Sequence, residues 1–430
     1  MEQIIFIFKW LGIAIVVIVV VIFFALYFLG TFRERIKYRA KNVPAPNEPR
    51  FPLALASLSN SLTTTGVTTG FWVEADELQS ARLEAIASAK RTIHFETFFM
   101  TPGRRANDFA AAIAERAAAG VDVQLIVDSY GVKEISKKYW SRLQKAGVEV
   151  HFFNSFDWKA PTTYAGRTHR KLLLIDGEVG LIGGAGISDY WDGLDKIGDT
   201  APWFDFEFRV EGTVVAVLEG VFMQHWTLTG GTADFGKHIF NPERAEEELM
   251  LVTPGDDPSY RSSSVRALFQ GGILASRKRV WLASPYFLPD RKSRQELINT
   301  HNTGVEVRIL TTGSRSDKKF VYYASTELYG ELLKAGIEIY EYQPSMLHAK
   351  ILLIDDLWVS TGSANFDPRS FFHNDELDIS TADQVIVENI QHFFELGLSR
   401  SKRVNLADWR KRSWRDRLVG RLVLFFQWQL

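Results

Sequence analysis

The sequence predicts an α/β fold of two duplicated domains, each a β-sheet flanked by helices, behind an N-terminal transmembrane helix. Three observations predict it. Five segments recur in the same order along the chain. Short apolar runs alternate with helix-forming stretches. A long uncharged segment lies near the N-terminus.

The repeats come first, because a duplicated chain must be read as two copies of one unit. Lys90–Phe99 (KRTIHFETFF) resembles Lys278–Phe287 (KRVWLASPYF). GVDVQLIVD from Gly120 matches GVEVRILTT from Gly304, and LQKAGVEVHFF from Leu143 matches LLKAGIEIYEY from Leu332. HRKLLLID from His169 matches HAKILLID from His348, and LIGGAGISD from Leu181 matches VSTGSANFD from Val359. Five matches in order mean two domains that pack as a pseudo-twofold pair. Within each, runs such as Val121–Val127 read as strands, and DFAAAIAERAAA from Asp108 is strongly helix-forming. Alternation of this kind predicts a sheet covered by helices.

The 23 residues from Trp10 to Phe32 carry no charge. As a helix they span about 35 Å, enough to cross a bilayer core of about 30 Å. A cleaved signal peptide is the competing reading, but its apolar stretch is usually shorter and ends in a small-residue cleavage site. Here the stretch runs into Arg33, Arg35, Lys37, Arg39 and Lys41, against Lys9 alone on the other side. That bias favours a retained single-pass anchor in the cell (inner) membrane, with the catalytic part cytoplasmic. Asn42–Pro52 holds four prolines and reads as an extended linker.

Composition excludes several classes. The chain of 430 residues has no cysteine, so disulfides and thiolate metal sites are excluded. A net charge of −1 argues against a nucleic-acid binder. No GxxxxGK[ST] loop and no HExxH helix occurs. His94, His151, His225, His238, His301 and His373 have no ligand-like pairing and read as structural or exposed. No metal or other cofactor is expected.

The repeated HRKLLLID and HAKILLID segments carry the chemistry. Residues 171–175 are short and apolar and run into Asp176-Gly177, a turn signal. On a strand, His169 and Lys171 point the same way, with Asp176 at the strand end. His348, Lys350 and Asp355 repeat the pattern. An imidazole can attack phosphorus or protonate a leaving oxygen, and an ammonium can hold the non-bridging oxygens. One such pair is most simply a surface strand. Two at matching positions of a duplication point to one shared site for phosphodiester chemistry.

With these motifs the chain resembles the phospholipase D superfamily, whose signature is His-x-Lys, four further residues, then Asp. The resemblance covers roughly residues 70 to 400 and is closer to the bacterial cardiolipin synthases over Gly304–Thr381, including GSANFDPRSFFHNDELD. It implies two phospholipase D-like domains, each a mixed β-sheet flanked by helices. It also implies a catalytic set of His169, Lys171, Asp176, His348, Lys350 and Asp355, with His169 the nucleophile and His348 the general acid/base. Asn365 matches a phosphate-contacting asparagine. Glu376, and with it Asp205, match acidic residues that orient the histidines, although either could merely cap a loop. The first half departs at Gly186, where the family usually has asparagine. Glu96 is a candidate pocket residue or an ordinary strand-end carboxylate, and Ser284-Pro285-Tyr286 holds the equivalent place.

The expected division is anchor 1–32, linker 33–65, first domain 66–254, second domain 255–403 and a basic, aromatic tail 404–430. That tail either lies on an anionic membrane surface or packs as a helix on the catalytic part. The expected activity is a cardiolipin synthase-like transfer of a phosphatidyl group between phospholipids, through a phosphohistidine, with phosphatidylglycerol as the expected lipid. A phospholipase D releasing phosphatidic acid is the alternative, and a phosphodiesterase or nuclease of the superfamily comes behind it. Oligomeric state is not readable.

Overall fold

The computed structural model describes residues 2–31, 40–159, 163–195, 198–233, 248–259 and 262–427. Arg33, Arg35, Lys37 and Arg39, which carry the orientation argument, lie outside them, as do His238 and Trp428.

The first half supplies strands β1 (Leu62–Trp72), β2 (Thr92–Thr97), β3 (Asp122–Asp128), β4 (Glu149–Phe153), β5 (Lys171–Ile175), β6 (Val179–Gly183) and β7 (Glu207–Glu211). The second supplies β8 (Glu248–Pro254), β9 (Arg279–Ser284), β10 (Glu306–Thr312), β11 (Glu338–Tyr342), β12 (Ile351–Ile354), β13 (Trp358–Gly362), β14 (Leu377–Thr381) and β15 (Ser401–Val404). Among the described residues they form one 15-stranded sheet, ordered β15-β11-β10-β9-β12-β13-β14-β8-β1-β7-β6-β5-β2-β3-β4. Read outward from the β8–β1 seam, the two halves have the same order, with β15 added at one edge. The seam is antiparallel, with Leu62 opposite Val252 and Thr64 opposite Met250. Beyond it β2, β3 and β4 run parallel, as do β9, β10 and β11, while the remaining pairings in the sheet are antiparallel. The sheet is therefore mixed, as expected.

Its interior strands are buried on both faces, which is why they read as continuous apolar runs. Along β5, Leu172 and Leu174 enter one core and Leu173 and Ile175 another. Helices Thr213–Leu228 and Gln384–Ser399, one from each half, share the first core with residues of both. On the other face each half has its own core and helices.

Two boundaries differ from expectation. Residues 51–65 belong to the fold and not to a linker. Phe51 and Leu55 are fully buried on helix Phe51–Ser59, and the Phe51 ring meets Trp358 edge-on at 5.1 Å. Pro52 in the first turn fits a helix start, where its missing N–H costs nothing. Strand β1 then begins at Leu62. The other is β8, which pairs with β1 on one side and β14 on the other and holds in the second half's strand order the place that β1 holds in the first, where the boundary at 254 had put it in the first domain. The seam strands share no sequence likeness, so the repeat could not reveal them.

Helix Glu2–Thr31 is apolar and, over Phe6–Phe24, unburied by the rest of the chain. A soluble core helix would be covered, so this one fits an anchor. At the other end the tail packs on helix Lys319–Lys334, as the alternative reading expected. Trp409 donates from Nε1 to Thr326 O at 2.6 Å, and the buried Gly420 lies against Tyr323 O. The outer face of helix Trp414–Leu424 still exposes Trp414, Leu418 and Leu422, followed by Phe425 and Phe426.

Candidate active site

The site lies where the two motifs meet, at the entries to β5 and β12. Each histidine hangs from the other half of the molecule. Arg167-Thr168 runs parallel to Asn374-Asp375, and the His169 N–H donates to Asp375 O at 2.8 Å. Symmetrically, Phe204 bridges Leu347, and the His348 N–H donates to Phe204 O at 2.8 Å.

The carboxylates cross over as well. His169 Nδ1 bonds Glu376 Oε2 at 2.9 Å, and His348 Nδ1 bonds Asp205 Oδ2 at 2.9 Å. An Nδ1–H donated to a carboxylate leaves the Nε2 lone pair for chemistry. Ser363 Oγ holds Glu376 at 2.5 Å, while Trp191 Nε1 at 3.1 Å and the Phe206 N–H at 3.0 Å hold Asp205. Gly184, the first-half counterpart of Ser363, is small for a reason: a Cβ there would sit 2.4 Å from the Asp205 carboxylate.

The lysines lie beside the rings. Lys171 Nζ donates to His169 O at 2.6 Å; Lys350 Nζ donates to His348 O and is 3.2 Å from His348 Nε2. Burial and the neighbouring lysine cations push both imidazoles toward the neutral form: His169 lies well below its ordinary range and His348 falls to about 3. Burial lowers both lysines too, Lys350 to about 8. Burial raises Glu376. For Asp205 burial, the largest single effect, acts the same way, but the bond and charge of His348, the Lys350 cation and the Phe206 N–H together outweigh it and hold it below the ordinary carboxylate range.

Both histidines and Lys171 line a cavity of about 300 Å³, walled by Phe98, Trp191 and Trp203. Trp191 and Trp203 lie 5.3 and 5.7 Å from the His348 ring. A second lobe of about 500 Å³ shares His169 and continues past Asn365, Asp367, Arg369 and Asn374. Asn365 is buried, and its Oδ1 has no hydrogen-bond partner among the described residues.

Three expected site residues are elsewhere. Asp176 accepts backbone N–H groups from Lys90, Arg91 and Thr92 at 2.6–2.9 Å, and Asp355 does the same for Arg277, Lys278 and Arg279 at 2.8–2.9 Å. Both sit at the far end of the strand in the left-handed region, with φ of 57° and 54°. They staple strand ends and do not reach the cavity. Glu96 is fully buried beneath His169 and bonds Thr168 and His225, so it is not a pocket wall. Its repeat partner region does reach the cavity through Tyr286. Sequence reasoning missed Trp191, Ser363 and Phe98, and also Lys318, which lines both lobes of the cavity. Phe98 could have been found, since it occupies the repeat position of Tyr286.

Among the described residues no group of three or more His, Cys, Asp or Glu side chains is arranged to hold a metal ion. The cations beside the two histidine rings are Lys171 and Lys350, and Arg167 and Arg369 line the second lobe.

A duplicated α/β sheet that brings one histidine from each half to a single cavity, each with its own lysine beside it, defines the phospholipase D class of fold. The crystal structure of phosphatidylserine synthase from Haemophilus influenzae Rd KW20 has the same fold, with a TM-score of 0.68 at 13% identity over 87% of this chain and 98% of that one. The family model described as cardiolipin synthase, phospholipase D-like domain matches residues 83–190 and 272–396. Cardiolipin synthase 2 of Bacillus anthracis is 31% identical over 353 residues, covering 80% of this chain and 67% of the relative. Cardiolipin synthase of Geobacillus sp. (strain WCH70) is 31% identical over 355 residues, covering 81% and 69%. This chain belongs to the cardiolipin synthase, phospholipase D-like domain family, and is an enzyme of the phospholipase D superfamily.

Proposed function

We propose that the protein is a cardiolipin synthase-type phosphatidyltransferase that works through a phosphohistidine on His169. The observation that carries this reading is the pair of neutral, carboxylate-oriented imidazoles facing one lysine-lined cavity. His169 Nε2 attacks the phosphorus of a phospholipid. The P–O bond to the headgroup breaks, and His348, which has taken a solvent proton on Nε2 as the anionic phosphodiester enters, gives that proton to the leaving alkoxide. A second lipid hydroxyl then attacks phosphorus, gives its proton to His348, and His169 leaves. Lys171, Lys350 and Asn365 hold the non-bridging oxygens. The phosphodiester's own negative charge raises the proton affinity of His348 when it enters.

Transfer over hydrolysis is supported by the wall around His348. Trp191 and Trp203, 2% and 4% exposed, set an aromatic wall beside His348 that offers an incoming water few polar partners. The names of the relatives give cardiolipin as their product; phosphatidylglycerol as donor and acceptor is part of the proposal. The apolar helix Glu2–Thr31 and the exposed apolar face of helix Trp414–Leu424 support a membrane as the second partner, and the near-neutral net charge of −1 favours lipid over nucleic acid. The basic flank after Phe32 supports a cytoplasmic catalytic part.

The test is to incubate the purified enzyme with phosphatidylglycerol and identify products by mass spectrometry. Cardiolipin with equimolar glycerol is expected. Phosphatidic acid alone would make the protein a hydrolase.

A further inference from the structure

The two halves match strand for strand, yet what lies beneath the two histidines does not. Behind His348 the positions are apolar: Leu347 precedes it, Ala349 follows it, and Phe204 accepts its N–H, all within one core. Behind His169 the equivalent positions are Thr168, Arg170 and Asp375. They join a buried polar chain. Glu96 accepts from Thr168 Oγ1 and pairs with His225 Nδ1 at 2.6 Å, and His225 Nε2 reaches Asp375 Oδ2 at 3.2 Å. Arg170 lies 3.7 Å from Glu96 on the far side and pairs with Asp256. The side chains of Glu96, His225 and Asp375 are 0%, 4% and 15% exposed. The repeat counterpart of Glu96 is Ser284, which carries no charge.

We propose that Glu96, His225 and Asp375 form a positioning chain that holds the His169 half of the site in register for nucleophilic attack. The chain clamps Thr168 to Asp375, the two residues that directly precede His169 and Glu376. It thereby fixes the imidazole and its orienting carboxylate together. Buried charge is costly, and an apolar core served the equivalent joint under His348, so packing alone does not require it. What a polar chain adds is direction, because hydrogen bonds tolerate less displacement than apolar contacts. The half that bonds covalently to phosphorus needs the tighter placement, since small misplacements of a reacting atom are expensive in rate. This inference rests on the reading of His169 as nucleophile.

An internal control exists. His94 Nδ1 pairs with Glu219 at 2.6 Å between the same strand and the same helix, but touches neither 167–169 nor 374–376. It is the same chemistry with only a structural task.

The experiment uses the full-length enzyme with phosphatidylglycerol vesicles, rapid acid quenching, and peptide mapping of the phosphatidylated histidine. Variants are His225→Gln, Asp375→Asn and the control His94→Gln, assayed where circular dichroism shows each folded. Formation of the intermediate should slow roughly tenfold or more in both chain variants, as a fall in kcat with KM little changed. The control should keep the wild-type rate even if its thermal midpoint drops equally. If His225→Gln and Asp375→Asn form the intermediate at the wild-type rate, or lose it only in step with the control, the positioning chain is overturned. Should wild-type label map to His348, or not form, the nucleophile assignment itself fails, which is a different outcome from the first.

Discussion

His169 Nδ1 lies 2.9 Å from Glu376 Oε2, a carboxylate 207 residues further along the chain and in the other half of the fold. His348 and Asp205 repeat the crossing in the opposite sense. Neither half supplies both the motif histidine and the carboxylate that orients it, so neither half is a catalytic unit.

Replacing Glu376 by Gln should therefore damage the chemistry of His169, not that of His348. The amide can no longer hold the Nδ1–H tautomer as a charged acceptor does. Turnover should fall roughly 10²-fold or more, with slow formation of the intermediate in single-turnover kinetics. Asp205→Asn should reach a similar loss by slowing both steps, because His348 gives a proton in the first and takes one in the second. Equal effects on both steps in both variants would count against divided roles.

The alkaline limit of activity should come from the lysines. Burial lowers Lys350 from an ordinary 10.5 to about 8. Its charge is thus present below about 8 and lost as pH rises through that value, so kcat/KM should decline above about pH 8. Stability has the opposite weak side. Folded His348, lowered from 6.5 to about 3, resists a proton that the unfolded chain accepts. Its contribution is present above 6.5 and shrinks as pH falls toward about 3. Thermal midpoints measured from neutral to acid pH should show a shallower decline in His348→Asn.

Asp176→Ala and Asp355→Ala should lower stability and spare chemistry. Each carboxylate gathers three backbone N–H groups. Leaving them unpaired costs about 1–3 kcal/mol, readable as a lower denaturant midpoint. A catalytic role would instead show as lost kcat in folded protein.

Gly186→Asn should not restore a second phosphate-contacting amide. A Cβ there would stand 2.5 Å from Phe99 O, which is backbone and cannot swing aside. Forced overpacking of this kind costs about 1–3 kcal/mol. A variant with unchanged thermal midpoint and higher activity would contradict the steric account.

The exposed face of the tail helix should matter only at a lipid surface. Burying a Leu or Phe contributes about 1.5–3 kcal/mol, so Leu422→Asp or Phe425→Asp should weaken binding to anionic vesicles about tenfold or more. Turnover of a short-chain, dispersed substrate should stay the same. Loss of both activities together would mean that the helix only braces the fold.

Much of this protein was legible from one sequence because duplication leaves a trace that a single domain does not. The repeated HRKLLLID and HAKILLID segments revealed the strands, the histidines, the lysines and the single shared site, since strand periodicity puts His and Lys on one face wherever the strand goes. Glu376 and Asp205 were legible as acidic residues downstream of each motif. Asp176 was placed correctly at the strand end away from His169, and it was the resemblance, not the spacing, that put it in the catalytic set. The seam strands were invisible, since LTTTGVTTGFW and ELMLVTP share no pattern.

Local order in the chain determined the elements and the chemistry each could carry. The tertiary structure alone decided which carboxylate serves which histidine, that Glu96 lies under the site instead of in it, and that only His169 rests on a polar chain. The physical reason is range: side-chain alternation and turn signals act over a few residues, whereas these contacts join residues a hundred or more apart, where only the packing of the two halves sets the distance.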